Sequence, residues 1–74
     1  MGIKWFARRD WEGKVISVFK SEWDGDTLSS ESVWSRADKE WSPTNAVSYW
    51  FFNGDNTIEP ITDAEAGKLL PTNA

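Results

Sequence analysis

Six tryptophans, Trp5, Trp11, Trp23, Trp34, Trp41 and Trp50, are spread almost evenly along a chain of 74 residues that has no histidine and no cysteine. A chain of this length is one domain, and it buries only about 60–65% of the surface its unfolded form exposes. There is no disulfide to help, and a structural zinc site has no soft ligands to draw on. The apolar core must therefore carry the stability alone. Each tryptophan can bury roughly 150–250 Å², so most of the six are expected inside. A tryptophan left at the surface is a platform for a partner.

The same absences restrict chemistry. No cysteine nucleophile and no histidine base exist, and none of the serines sits in a nucleophile elbow. The carboxylates cluster near turns and helix starts, where local geometry and the helix dipole explain them. Asp24-Gly25-Asp26 and Asn53-Gly54-Asp55-Asn56 read as turns, since neither supplies the spaced ligands of a calcium loop. No enzyme, metal or cofactor is expected. No apolar run approaches the ~20 residues of a membrane span and no signal peptide is evident, so a soluble, cytoplasmic protein is expected. Charge is unevenly placed. Residues 1–20 hold five Lys/Arg against two Asp/Glu (+3), whereas residues 21–74 hold three against ten (−7), giving the total of −4. The two segments can attract each other or face different partners.

Along the chain, residues 4–9 and 14–20 read as a β-hairpin closed around Asp10-Trp11-Glu12-Gly13. In the second arm Val15, Ser17 and Phe19 are expected on one face and Ile16, Val18 and Lys20 on the other. Asp24-Gly25-Asp26 is a turn. Thr27 to Arg36 reads as a third strand with Leu28, Ser30, Ser32 and Trp34 on one face, with a helix carrying Val33, Ala37 and Trp41 as the competing reading. Ser42-Pro43 has the form of an N-cap and first helical residue, which predicts a helix over 43–52 stopped at Asn53-Gly54. The alternative there is a strand through 47–52. Thr57 to Ile61 is extended ahead of a capping box, Thr62 to Glu65, that opens a second helix ended by Pro71. The predicted fold is α+β: a small three-stranded antiparallel sheet, N-terminal hairpin first, with two short C-terminal helices covering one face. Residues 1–71 form the domain and 72–74 a frayed tail. The predicted core is Val15, Val18, Phe19, Trp34, Val47, Trp50, Phe51, Ile58, Ile61, Leu69 and Leu70.

Binding remains as the mode of action. Arg9-Asp10-Trp11 in the hairpin loop and Glu22-Trp23-Asp24 at a turn put tryptophan where a core need not reach, and Trp and Arg are enriched at binding hot spots. Arg8, Arg9, Trp11 and Trp23 are the predicted recognition surface, with Lys4 and Lys14 as accessory cations. The first reading is a protein-interaction or regulatory module with a protein partner. The alternative is single-stranded nucleic-acid binding, because Lys4, Trp5, Phe6, Arg8, Arg9, Trp11 and Lys14 interleave cations with aromatics as base stacking and phosphate neutralisation require. A sugar platform beside Trp23 or Trp41 and an acidic mimic of DNA rank lower. A monomer is expected, or a weak homodimer if an exposed aromatic edge pairs with a second copy.

Two segments carry a resemblance: Lys4-Trp5-Phe6-Ala7-Arg8-Arg9-Asp10-Trp11-Glu12-Gly13-Lys14, and Ile58-Glu59-Pro60-Ile61-Thr62-Asp63-Ala64-Glu65-Ala66. Together they cover about a quarter of the chain, and their order resembles that of short uncharacterised proteins of actinobacteria and their phages. The resemblance implies a small, cytoplasmic, phage-borne protein, and with it a host protein as the partner. It supplies no activity.

Overall fold

The computed structural model describes residues 2–54 and 57–71. The elements in chain order are β1 (Gly2–Arg9), β2 (Val15–Asp24), β3 (Thr27–Ser35), β4 (Glu40–Pro43), α1 (Ala46–Asn53), β5 (Glu59–Ile61) and α2 (Asp63–Leu69). The strands form one antiparallel sheet in the order β4-β3-β2-β1-β5. The fold is α+β as expected, but the sheet has five strands rather than three, and the helices lie on opposite faces rather than sharing one. β4 and β5 escape a reading of sequence pattern because they are four and three residues long and each holds a proline. Two or three alternations are too few to register as a strand, and proline demotes such runs.

The chain wraps the sheet. After β4 at one edge, α1 lies over one face before β5 is added at the other edge, beside β1. α2 then turns onto the opposite face. The α1 face buries Phe6, Phe19, Trp23, Val47 and Ile58, with Leu28, Val33 and Trp50 packed against them. The α2 face buries Ala7, Val15, Val18 and Trp34, with Trp5, Trp41, Ile61, Leu69 and Leu70 around them. Five of the six tryptophans thus serve one core layer or the other. Phe6 and Ala7, absent from the predicted core, are buried because β1 is an inner strand covered on both faces. Phe51, predicted as core, is 47% exposed: α1 sets Val47 and Trp50 against the sheet and leaves Phe51 at its flank, touching Trp23 at 5.2 Å.

Two β-bulges redistribute side chains between the faces. Between Arg8 and Arg9 the partner on β2 jumps from Ser17 to Val15. Ile16 is the extra residue, so Val15 joins Val18 on the α2 face instead of Phe19 on the α1 face. On β3 the partner of Glu22 is Ser30 but that of Trp23 is Leu28. Ser29 is the extra residue, and its hydroxyl donates to the Glu22 carbonyl at 3.0 Å. Leu28 therefore sits under α1 while Trp34 points to the other layer, contrary to the predicted shared face. One inserted residue reverses every later side chain because the strand period is two.

Helix α1 starts three residues later than Ser42-Pro43 predicts. Those two residues end β4, paired with Val33 and Ser32. Asn45 is the N-cap but makes no side-chain cap bond. Glu31 of β3 substitutes for it: its Oε1 accepts the Val47 and Ser48 N–H groups at 3.2 and 3.4 Å, and its Oε2 accepts the Ser48 hydroxyl. The predicted stop holds, with Gly54 at φ 67°. For α2 the predicted N-cap is present, Thr62 Oγ1 accepting the Glu65 N–H at 3.1 Å. The rest of the predicted 53–56 turn, Asp55-Asn56, and the predicted frayed tail 72–74 lie outside the described residues. Among the described residues no helix is long and apolar enough to cross a membrane.

Candidate functional site

The six predicted site residues do not form one surface. Gly2 of β1 pairs with Trp23 of β2, so Trp23 lies at the open end of the hairpin. Trp11 lies at its closed tip, the length of β2 away, on the order of 25 Å. Trp23 is 3% exposed and is a core residue, not a recognition anchor. Its indole N–H donates to Ser21 Oγ at 2.8 Å, and that hydroxyl donates to the Lys4 carbonyl at 2.8 Å. The Lys4 ammonium stands 4.7 Å from the Trp23 ring centroid. The acidic neighbours Glu22 and Asp24 make Trp23 look like a turn residue, yet alternation along β2 aims it inward.

The cations of the hairpin are divided. Arg8 lies on the α1 face, its guanidinium 5.3 Å from the Phe19 ring, and its Nε is shielded without a hydrogen-bond partner among the described residues. Arg9 points to the other face, where it pairs with Glu59 of β5 and donates to the Gly13 carbonyl at 3.0 Å. The Lys14 ammonium is 3.9 Å from Glu12. Among the described residues no single row of unpaired cations runs beside the hairpin aromatics, as tracking a phosphate backbone requires.

Trp11 is different: it is 91% exposed. The loop beneath it is closely held. Asp10 Oδ1 accepts the N–H groups of Glu12 and Lys14, both at 2.9 Å. The Asp10 N–H donates to the Lys14 carbonyl at 2.8 Å, and the Gly13 N–H donates to the Asp10 carbonyl at 3.0 Å. Gly13 takes φ 87°, a conformation a side chain would oppose. The Arg9 contacts to Gly13 and Glu59 then fasten the loop to the sheet edge.

Sequence reasoning missed two surfaces. On α1, Tyr49 and Phe51 are half-exposed and Phe52 is 74% exposed, with Phe51 and Phe52 edge to face at 5.0 Å. The run Tyr49-Trp50-Phe51-Phe52 looks like core in sequence, but one helix on one sheet face can bury only one side of it. The second surface is a groove of about 770 Å³ between the β3–β4 loop and the end of α2, lined by Trp34, Arg36, Lys39, Glu40, Trp41 and Lys68. The available signal was that Arg36, Lys39 and Lys68 are the sole cations after residue 20. Their separation in sequence hid their proximity. Among the described residues no group of three or more acidic side chains is placed to hold a metal ion.

Comparison with protein-family models, with curated proteins and with solved structures finds no match.

Proposed function

We propose that this protein is a small non-enzymatic interaction module that anchors a protein partner through Trp11. The observation that carries the reading is the nearly complete exposure of that ring on a loop whose backbone is already fixed. An isolated exposed apolar side chain needs no explanation. A tryptophan on a held loop differs, because its burial by a partner removes a large apolar area from water while little loop entropy remains to be lost. The exposed Phe51-Phe52 pair on α1 adds a second apolar area of the kind found at protein interfaces. The resemblance to phage proteins makes an actinobacterial host protein the expected partner.

The protein reading is preferred over nucleic acid at the hairpin because Arg8 and Arg9 face opposite ways and Arg9 is already paired with Glu59. The test is affinity capture from an actinobacterial lysate with the whole chain, comparing wild type with Trp11→Ala and Phe52→Ser. Trp11→Ala is expected to remain folded, since the ring contributes no core contact. A host protein retained by wild type and lost with Trp11→Ala is the expected result. Capture that survives Trp11→Ala but not Phe52→Ser would move the anchor to α1. Capture indifferent to both would refute the proposal.

A further inference from the structure

We propose that the groove between the β3–β4 loop and α2 binds a nucleotide, with the base against Trp41 and the phosphate held by Arg36, Lys39 and Lys68. The site lies apart from Trp11 and extends the function beyond protein binding. Its first support is the placement of charge. Residues 21–74 carry a net charge of −7, yet all three of their cations line this one groove, with Glu40 as the single carboxylate in its lining. Three cations against one carboxylate leave the groove at +2 on a chain of net −4. Among the described residues, none of the three cations lies within 4.0 Å of a carboxylate. Arg36 is oriented by a 3.0 Å bond from Nη1 to the Val15 carbonyl, which leaves its other donors available. An oriented guanidinium beside two ammonium groups suits a phosphate, which accepts several charge-assisted hydrogen bonds at once.

The second support is backbone conformation. Lys39 has φ 56°, the only positive φ outside glycine among the described residues. Left-handed backbone is disfavoured for a side-chain-bearing residue, and glycine would occupy the position freely. The turn bond from the Lys39 N–H to the Ser35 carbonyl, 2.7 Å, holds this conformation, and residues in such backbone regions cluster at ligand-binding and active sites. The third support is the aromatic wall. Trp41 is half-buried, backed by Trp34 at 5.5 Å and by Trp5 at 6.5 Å. A partly open indole held from behind offers a planar surface for stacking a base. The groove volume of about 770 Å³ is within the range of small-molecule sites, and a ligand with both a planar ring and an anion uses both kinds of wall.

The experiment follows the Trp41 indole N–H resonance of the full-length protein during titration with adenosine monophosphate, with inorganic phosphate and with single-stranded hexadeoxyadenylate, at one fixed ionic strength. The expected result is a saturable shift of Trp41 with the mononucleotide and a markedly weaker response to phosphate. Lys68→Ala should weaken binding about tenfold, the loss of one charge-assisted contact. Lys39→Gly should weaken it similarly while the thermal midpoint holds or rises, because strain is relieved. That opposite movement is not expected of a residue that only shapes the loop. A response to the hexanucleotide alone also supports the site and identifies a strand as the source of the nucleotide. The proposal is overturned if neither nucleotide probe shifts Trp41, if inorganic phosphate binds as tightly as the mononucleotide, or if both variants bind like wild type.

Discussion

Ser21 shows how one polar atom decides the role of a large ring. It is fully buried under α1, and its hydroxyl both accepts the Trp23 indole N–H and donates to the Lys4 carbonyl. An indole buried without a partner is costly, so a tryptophan in this layer needs such an acceptor. Ser21→Ala leaves the indole N–H and the Lys4 carbonyl without this partner. The expected loss is about 1–3 kcal/mol, read as a lower urea midpoint with an unchanged slope. No loss would mean that the hydroxyl does not hold Trp23. At Trp11 the opposite holds: the indole meets water, and the hydrogen bonds belong to the loop below it. The two tryptophans that looked equivalent between acidic neighbours differ because one lies within a strand and the other at a hairpin tip.

At the scale of the element, α1 depends on Glu31. The carboxylate satisfies two N–H groups of the first turn, which the N-cap side chain leaves unmet. Glu31→Ala is expected to destabilise the protein by about 1–2 kcal/mol, the usual cost of losing a cap. Glu31→Gln keeps an acceptor and is expected to cost less; equal losses for the two variants would contradict the capping role. This interaction joins residues 17 positions apart, and no local pattern announces it. The elements legible in the sequence were those with local causes: the hairpin around Asp10-Gly13, the Gly54 stop, the Thr62–Glu65 cap. What remained hidden depends on distant partners. Ser42-Pro43 has the form of a helix start, but pairing with Val33 and Ser32 makes it a strand end. The bulges at Ile16 and Ser29 move Val15 and Leu28 to faces that strict alternation denies them. Of the two tryptophans expected at turns, Trp11 is exposed at its hairpin tip and Trp23 is buried, and the cationic groove was beyond reach because its residues meet only when α2 returns to the far face.

At the scale of the molecule, two thin apolar layers on either side of one sheet replace the single core a chain of this size is expected to build. Two of the three inner strands, β1 and β2, are covered on both faces, which gives five of the six tryptophans a layer to pack in. The sheet edges are short, and each carries a proline that has no N–H to offer an incoming strand. The oppositely charged segments meet at the Arg9–Glu59 pair, but both side chains are substantially exposed, so this pair contributes little to stability. There is a division of labour between the five tryptophans that hold the layers together and Trp11, which stands exposed at the hairpin tip. Its most direct test is solvent-accessibility probing of the six indole N–H resonances at two protein concentrations. Trp11 is expected to be the most accessible by a wide margin at both concentrations, while Trp23 and Trp34 are protected. Protection of Trp11 at both, or accessibility of Trp23 comparable to that of Trp11, would contradict it.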